Sequence, residues 1–125
     1  MKNPKVVKLH EDSRGTIYSL SGITSDGKEI TILHTRRGYA RGGCIHDIND
    51  EYVAVLEGMV KYWIGDEHPE MLQKGMSLLI PAGKPHMFVA QTDSILLEWG
   101  KTKEEVGDKD VEMRKKVDEI NAKRD

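Results

Sequence analysis

Gly43-Cys44-Ile45-His46-Asp47-Ile48-Asn49-Asp50-Glu51, running on to Gly58, and Gly75 through Pro81, Gly83 and His86 are the two stretches whose reading decides the fold. Cys44 and His46 stand two residues apart, so on a strand their side chains share a face. Glu51 opens the next strand after an Asn49-Asp50 turn and can face the same side. It leads an apolar run, Tyr52-Val53-Ala54-Val55-Leu56, in which an unpaired carboxylate would be costly. The position therefore argues for a cation or a strong hydrogen-bond partner nearby. His86 leaves the Pro81-Ala82-Gly83-Lys84-Pro85 loop and enters a third strand. A barrel is the architecture that brings three such strands together.

Outward from these stretches the chain reads as all-β. Short apolar runs alternate with period two and are separated by turn residues. Strands are expected at Thr16 to Ile23, Glu29 to Thr35, Cys44 to Ile48, Ser77 to Ile80, Met87 to Ala90 and Ser94 to Trp99. Glu51 to Glu57 and Met59 to Ile64 read as a hairpin about Gly58, and Gly38 to Gly43 as a glycine-rich approach to the first motif. Ser25-Asp26-Gly27 carries an Asp-Gly hairpin signal, and Gly65-Asp66 another turn. Regular short strands of this kind suggest a sandwich or barrel. Residues 1–100 are assigned to the barrel and 101–125 to a charged helical tail of the same domain. In that tail Met113, Val117 and Ile120 recur at i, i+4 and i+7, a narrow helical stripe. Docking of the stripe on the barrel is the favoured reading; a dimer contact is the other.

At 125 residues the chain is one domain with room for a core. Charged residues make up 32% and the formal net charge is -2. That balance leaves no basic footprint for nucleic acid and no polybasic membrane patch. Met1 to His10 lacks the apolar run of a signal peptide, and no stretch is long enough to span a bilayer. The lone cysteine cannot close an internal disulfide, so a cytoplasmic location is expected. Apolar residues on both alternating faces of Tyr52 to Leu56 and of Ser77 to Ile80 point to an exposed sheet face open to association.

The two stretches resemble the paired signature motifs of the cupin superfamily of small jelly-roll barrels. The spacings His46 to Glu51 and Glu51 to Gly58 fit the first motif. Gly75, Pro81, Gly83 and His86 fit the second, with Ala90 standing where the family usually has an Asn. The resemblance covers roughly residues 12 to 99, and it implies a homodimer paired through its sheets. It implies a single cupin (double-stranded β-helix) barrel in which a His-x-His, a Glu and a later His converge on one metal. His46, Glu51 and His86 match three of those positions, and Cys44 stands at the fourth. Two imidazoles and a carboxylate suit Fe, Mn, Co, Ni, Cu or Zn, and a thiolate would bias the site toward Zn or Fe. For Cys44 the readings are fourth ligand or small buried hydrophobe; for His86, ligand or hydrogen-bonded core histidine.

A narrower resemblance links Arg41-Gly42-Gly43-Cys44-Ile45-His46 to the Arg-Gly-x-His-x-His segment of sugar-nucleotide cupins, the 3,4-ketoisomerases and related polysaccharide-biosynthesis proteins. Asp12-Ser13-Arg14-Gly15 is similar to their Asp-x-Arg-Gly opening, and Leu97-Glu98-Trp99 with the charged tail to epimerase-like cupins. It implies a carbohydrate or sugar-nucleotide ligand and isomerisation or epimerisation, with His46, Glu51 and His86 as the catalytic set. Arg41 is then a candidate anion contact, because guanidinium pairs bidentately with phosphate; an ordinary surface arginine is the alternative. Tyr39, Tyr52, Tyr62 and His34 are further acid-base or stacking candidates, of which Tyr39 and His34 are assigned with Arg41 to the substrate. His34 faces the pocket only if Ile30 and Ile32 do. The rival functions are a metal-dependent dioxygenase and a non-catalytic cupin that binds a small ligand.

Overall fold

The computed structural model describes residues 5–24, 26, 28–102 and 107–125. Strands β1 (Lys5–Asp12), β2 (Gly15–Ser21), β3 (Lys28–Thr35), β4 (Ala40–Ile45), β5 (Glu51–Glu57), β6 (Met59–Ile64), β7 (Glu70–Gln73), β8 (Ser77–Ile80), β9 (His86–Ala90), β10 (Ser94–Thr102) and β11 (Asp108–Lys109) precede one helix, α1 (Val111–Ala122). They form a six-stranded sheet in the order β1-β2-β3-β10-β5-β8 and a five-stranded sheet in the order β11-β4-β9-β6-β7. The strand pairs are antiparallel. The two sheets close on each other as a single jelly roll.

Period-two alternation decides which residues enter the interior. Along β5, Glu51, Val53 and Val55 are buried while Tyr52 and Leu56 are exposed. The interior core gathers Leu33, Val53, Val55, Val60, Tyr62, Leu72, Ile80, Phe88 and Leu96 from both sheets.

Three expectations change. The segments around Gly58 do not pair as a hairpin: β5 bonds to β10 and β8, whereas β6 bonds to β7 and β9. Gly58 is instead the corner where the chain crosses between sheets. Its φ is +82°, and a Cβ there would collide with the Asp93 carbonyl, so glycine is required. The second change concerns Gly38 to Gly43, which is not wholly an approach loop. The strand expected at Cys44 to Ile48 begins at Ala40 and ends at Ile45. Gly42, with φ +114°, lets β4 lie so close to β9 that a Cβ would stand 2.6 Å from the His86 carbonyl oxygen, and the register shifts between Gly42 and Cys44. Third, β1, β7 and β11 were not anticipated; β1 is an exposed, partly charged edge strand without an apolar periodicity to mark it. The Ser25-Asp26-Gly27 turn lies partly outside the described residues, although the Lys28 N–H donates to Asp26 Oδ1 at 3.1 Å.

The tail helix docks on the barrel. Asp110 caps it by accepting from the Met113 N–H at 3.0 Å. Val117, fully buried, packs with Ala40 and Met87, flanked by Met113, Ile120, Trp63 and Val89. The stripe thus covers the outer face of the five-stranded sheet. Asn121 completes the contact as a surrogate strand: its Oδ1 accepts from the Ala40 N–H at 2.7 Å and its Nδ2 donates to the Ala40 carbonyl at 3.0 Å.

The outer face of the six-stranded sheet has no such cover from the helix. One row crosses all six strands: Leu79, Tyr52, Trp99, Ile30, Leu20 and Val6. Tyr52 and Trp99 stack at 5.5 Å within it. Leu79, Tyr52 and Val6 remain 46%, 41% and 67% exposed. Among the described residues no helix is long and apolar enough to cross a membrane.

Removing Asn121 strips both hydrogen bonds from the Ala40 backbone. Asn121→Ala is expected to cost about 1–3 kcal/mol, read as a fall of roughly 4–12 °C in Tm. Asp118→Ala, on the exposed side of the same helix, should change Tm by little. Equal effects from both would show that Asn121 is not what pins the tail.

Candidate metal centre

Glu51 begins β5 on the six-stranded sheet. His46 follows β4 and His86 begins β9, both on the five-stranded sheet. The three side chains therefore meet across the barrel at one end of its interior. His46 Nε2 lies 3.0 Å from Glu51 Oε1, and His86 Nε2 lies 3.8 Å from the same oxygen. The imidazole rings are 5.7 Å apart at an interplanar angle of 37°. One donor atom from each residue falls within 4.8 Å of the others. The side chains are only 11%, 3% and 7% exposed for His46, Glu51 and His86. A buried carboxylate and two imidazole nitrogens aimed at one point form the mixed N/O donor set that divalent transition metals favour, so these residues fit such an ion.

The loops around the cluster hold it in place. The Gly83 N–H donates to the His46 carbonyl at 2.8 Å, and the Ala82 N–H to Asp50 Oδ1 at 2.8 Å, so the loop before His86 is tied to the segment between His46 and Glu51. His86 Nδ1 faces the Lys84 carbonyl at 3.4 Å, which favours a proton on Nδ1 and leaves Nε2 as the lone-pair nitrogen. Burial pushes the His86 imidazolium down to about 4, against the pull of that carbonyl, so the ring is neutral at pH 7. Gly107 presses on the other histidine: a Cβ there would stand 2.5 Å from His46 Cε1.

The two histidines open onto an interior cavity of about 370 Å³. Arg41, Cys44, Tyr62, Phe88, Glu98 and Lys101 are among its lining residues. Glu51 touches both histidines without lining it. A wider cleft of about 620 Å³ lies outside the barrel beside Trp63, Met113 and Lys116 and contains none of the three cluster residues. Chemistry therefore concentrates in the smaller, interior space.

Arg41 is 3% exposed and reaches across the barrel. Its Nε donates to Thr35 Oγ1 at 2.8 Å and its Nη2 to the His34 carbonyl at 3.3 Å. Burial lowers the guanidinium to about 10, so it stays charged at neutral pH. Cys44 lines the cavity with His46, but its sulfur is not one of the three convergent donors. Burial raises its thiol above the ordinary range.

His34 and Tyr39 are corrections. Thr31 and Leu33 turn into the cavity, so His34, of opposite parity, is exposed on the outer face and contributes only its backbone carbonyl. Tyr39 does not line the cavity; its hydroxyl donates to Asp125 Oδ1 at 3.1 Å. Glu98 was not among the expected site residues. It is a half-buried carboxyl whose pKa burial pushes up to about 7, with Lys101 and Arg41 pulling it down. The signal that picked out Glu51, a carboxylate inside an apolar strand, was present in Ile95-Leu96-Leu97-Glu98-Trp99 as well.

Residues 42–99 match the cupin domain family. No curated protein sequence matches the chain significantly. Among solved structures, the capsular polysaccharide assembling protein CapF from Staphylococcus aureus superposes with a TM-score of 0.64 at 18% identity, over 77% of this chain and 28% of that one. KdgF from Halomonas sp. gives 0.62 at 18%, over 75% and 85%. A sugar phosphate isomerase of the cupin superfamily from Silicibacter pomeroyi gives 0.58 at 24%, over 70% and 60%. This chain spans under a third of the CapF chain, and identities this low speak to the fold alone.

The raised Glu98 carboxyl carries a pH signature. The native protein keeps a proton between about 4.5 and 7 that the unfolded chain releases, so this group's stabilising contribution is present below about 4.5 and is lost as pH rises to 7. In chelator-treated protein, Glu98→Gln is expected to raise Tm at pH 8 and to leave it nearly unchanged at pH 4.5. A gain of equal size at both pH values would rule out burial of the carboxylate as the cause. The matched cupin domain, the jelly roll and the His-Glu-His cluster in its interior together make this chain a small protein of the cupin fold.

Proposed function

We propose that this chain is a metal-binding cupin that isomerises or epimerises a carbohydrate-type small molecule, with His46, Glu51 and His86 holding one divalent transition metal. The observation that carries the reading is the convergence of those three donors at the inner end of an interior cavity. A bound ion would supply Lewis-acid polarisation of a ligand oxygen. The surrounding residues account for the rest. Glu98 holds or releases a proton on its carboxyl oxygen near neutrality, as a group that moves a proton to or from a carbon or hydroxyl should. Arg41 and Tyr62 contact ligand oxygens. Phe88 and Leu33 keep the inner wall apolar and limit water. The chain acts as one domain, with residues 101–125 part of it, in the cytoplasm.

Two measurements test this. Elemental analysis of protein made without a metal-affinity tag should give about one ion per chain, and a His46→Ala, His86→Ala double variant should lose it while keeping its far-UV spectrum. Sugars incubated with the loaded protein in D₂O should gain deuterium beside the carbonyl, and Glu98→Gln should slow that exchange by roughly 10²-fold or more. Oxygen consumption without exchange would favour the dioxygenase reading. Tight binding without either would favour a ligand-binding cupin.

We also propose a homodimer through the bare face of the six-stranded sheet. Its apolar row is continuous, and α1 lies on the opposite sheet and is too far placed in the fold to cover it. Sedimentation should show a dimer at micromolar concentration, and Tyr52→Glu, in the middle of the face, should give a folded monomer. Wild-type protein that sediments as a monomer throughout would refute the dimer.

A further inference from the structure

We infer that the ligand of this cavity is a carboxylic acid of monosaccharide size, whose carboxylate is held by Arg41 Nη1. The inference rests on the reading of the cavity as the ligand site and adds the class of molecule. It starts from two buried donors. Among the described residues, Arg41 Nη1 and the Tyr62 hydroxyl are buried without a hydrogen-bond partner. A buried donor left unsatisfied is costly, and more so when it is charged. Both line the same cavity. Both also lie on one row of the five-stranded sheet, since Arg41 pairs with Phe88 and Phe88 with Tyr62. Two strand steps of roughly 4.8 Å separate their backbones. Two long side chains from that row can close on one small molecule.

Neither donor can turn away to find water. Thr35 and the His34 carbonyl hold the other nitrogens of Arg41, which fixes where Nη1 points. Tyr62 is stacked on Phe88 at 5.6 Å and on His86 at 6.5 Å. Burial raises its hydroxyl well above its ordinary range, so it remains a donor. The missing partner is therefore an acceptor, and at Arg41 a negatively charged one is favoured.

Charge balance favours that negative charge. Arg41 and Lys101 are the cations of the cavity wall; Glu29 and Glu98 line it too, and Glu51 lies behind the histidines. Among the described residues, a divalent ion together with the two cations outweighs the carboxylates by one charge with Glu98 ionised and by two with it protonated, so an anionic ligand is favoured. With Nε and Nη2 already engaged, Arg41 Nη1 and the Tyr62 hydroxyl offer two donors, a number that suits the two oxygens of a carboxylate better than the three of a phosphoryl group. The volume of about 370 Å³ lies near the lower end of small-molecule pockets, which run from roughly 300 to 1,000 Å³. That suits a sugar acid and leaves no room inside for the nucleotide half of a sugar nucleotide.

Titration calorimetry of the full chain, loaded with the metal it takes up, would compare D-galacturonate, D-galactose and D-galactose 6-phosphate. Galacturonate is expected to bind at least tenfold tighter than either other sugar. Arg41→Gln should abolish that preference while metal uptake stays at the wild-type level. Tyr62→Phe, which keeps the aromatic stack, should weaken galacturonate several-fold and preserve the preference. Equal binding of acid and neutral sugar, tighter binding of the phosphate, or a preference that survives Arg41→Gln would overturn the inference. So would failure of galacturonate, gluconate and glycolate alike to bind. If Arg41→Gln fails to fold, the wild-type comparison and Tyr62→Phe still decide. Metal uptake is measured separately on each sample, so loss of the metal site and loss of acid preference are distinguishable.

Discussion

Glu51 places an ionisable carboxyl inside an apolar barrel, and much of the molecule is arranged around that fact. A carboxylate taken out of water needs a cation or close hydrogen-bond donors to remain charged. Here both neighbours come from the opposite sheet: His46 at 3.0 Å and His86 at 3.8 Å. The cluster is thus a tie between the two halves of the jelly roll as well as a candidate metal site. Neutral His86 does little to offset a negative charge, so the cluster gains most from a bound cation. Stability and metal affinity are coupled through the same atoms.

A second polar tie has the same logic. Arg41 leaves the five-stranded sheet and bonds to Thr35 and the His34 carbonyl on the six-stranded sheet. Between the two ties lies the cavity, walled by Phe88, Leu33 and Tyr62. The barrel is held open there because its polar groups are tied off on opposite sides, whereas Val53, Val55, Val60 and Leu72 close it with side chains. Binding capacity in this fold comes from interrupting the apolar core with a few anchored polar residues.

The two sheets differ outside as they do within. Ala40, Met87 and Val89 on the five-stranded sheet are sealed by Val117 and its stripe. Gly43 permits that approach: a Cβ there would stand 2.9 Å from Arg114 Cα. Arg114 Nη1 also donates to the Gly42 carbonyl at 3.1 Å, next to the stretch that carries Cys44 and His46. The tail is therefore mechanically continuous with the site, through Gly107 against His46 and through the Asp110 cap.

Local pattern marked the all-β class and the docking stripe of the tail, and the resemblance of two motifs to the cupin signatures picked out His46, Glu51 and His86. Each depends on short-range spacing: period two in strands, 3.6 in the helix, and fixed intervals around glycines and prolines. Partnership between distant strands is different, and only the tertiary structure decided it. The run through Gly58 reads as a hairpin, yet its halves belong to different sheets, each pairing with strands distant in sequence. Parity leaves two faces open, and the cavity lies on the face of Thr31 and Leu33, which puts His34 outside. Glu98 stands in an apolar strand and Arg41 in a glycine-rich motif, yet neither pattern says what the side chain meets. Their burial and reach arise from strands that pair far apart in sequence, where no local spacing can be read.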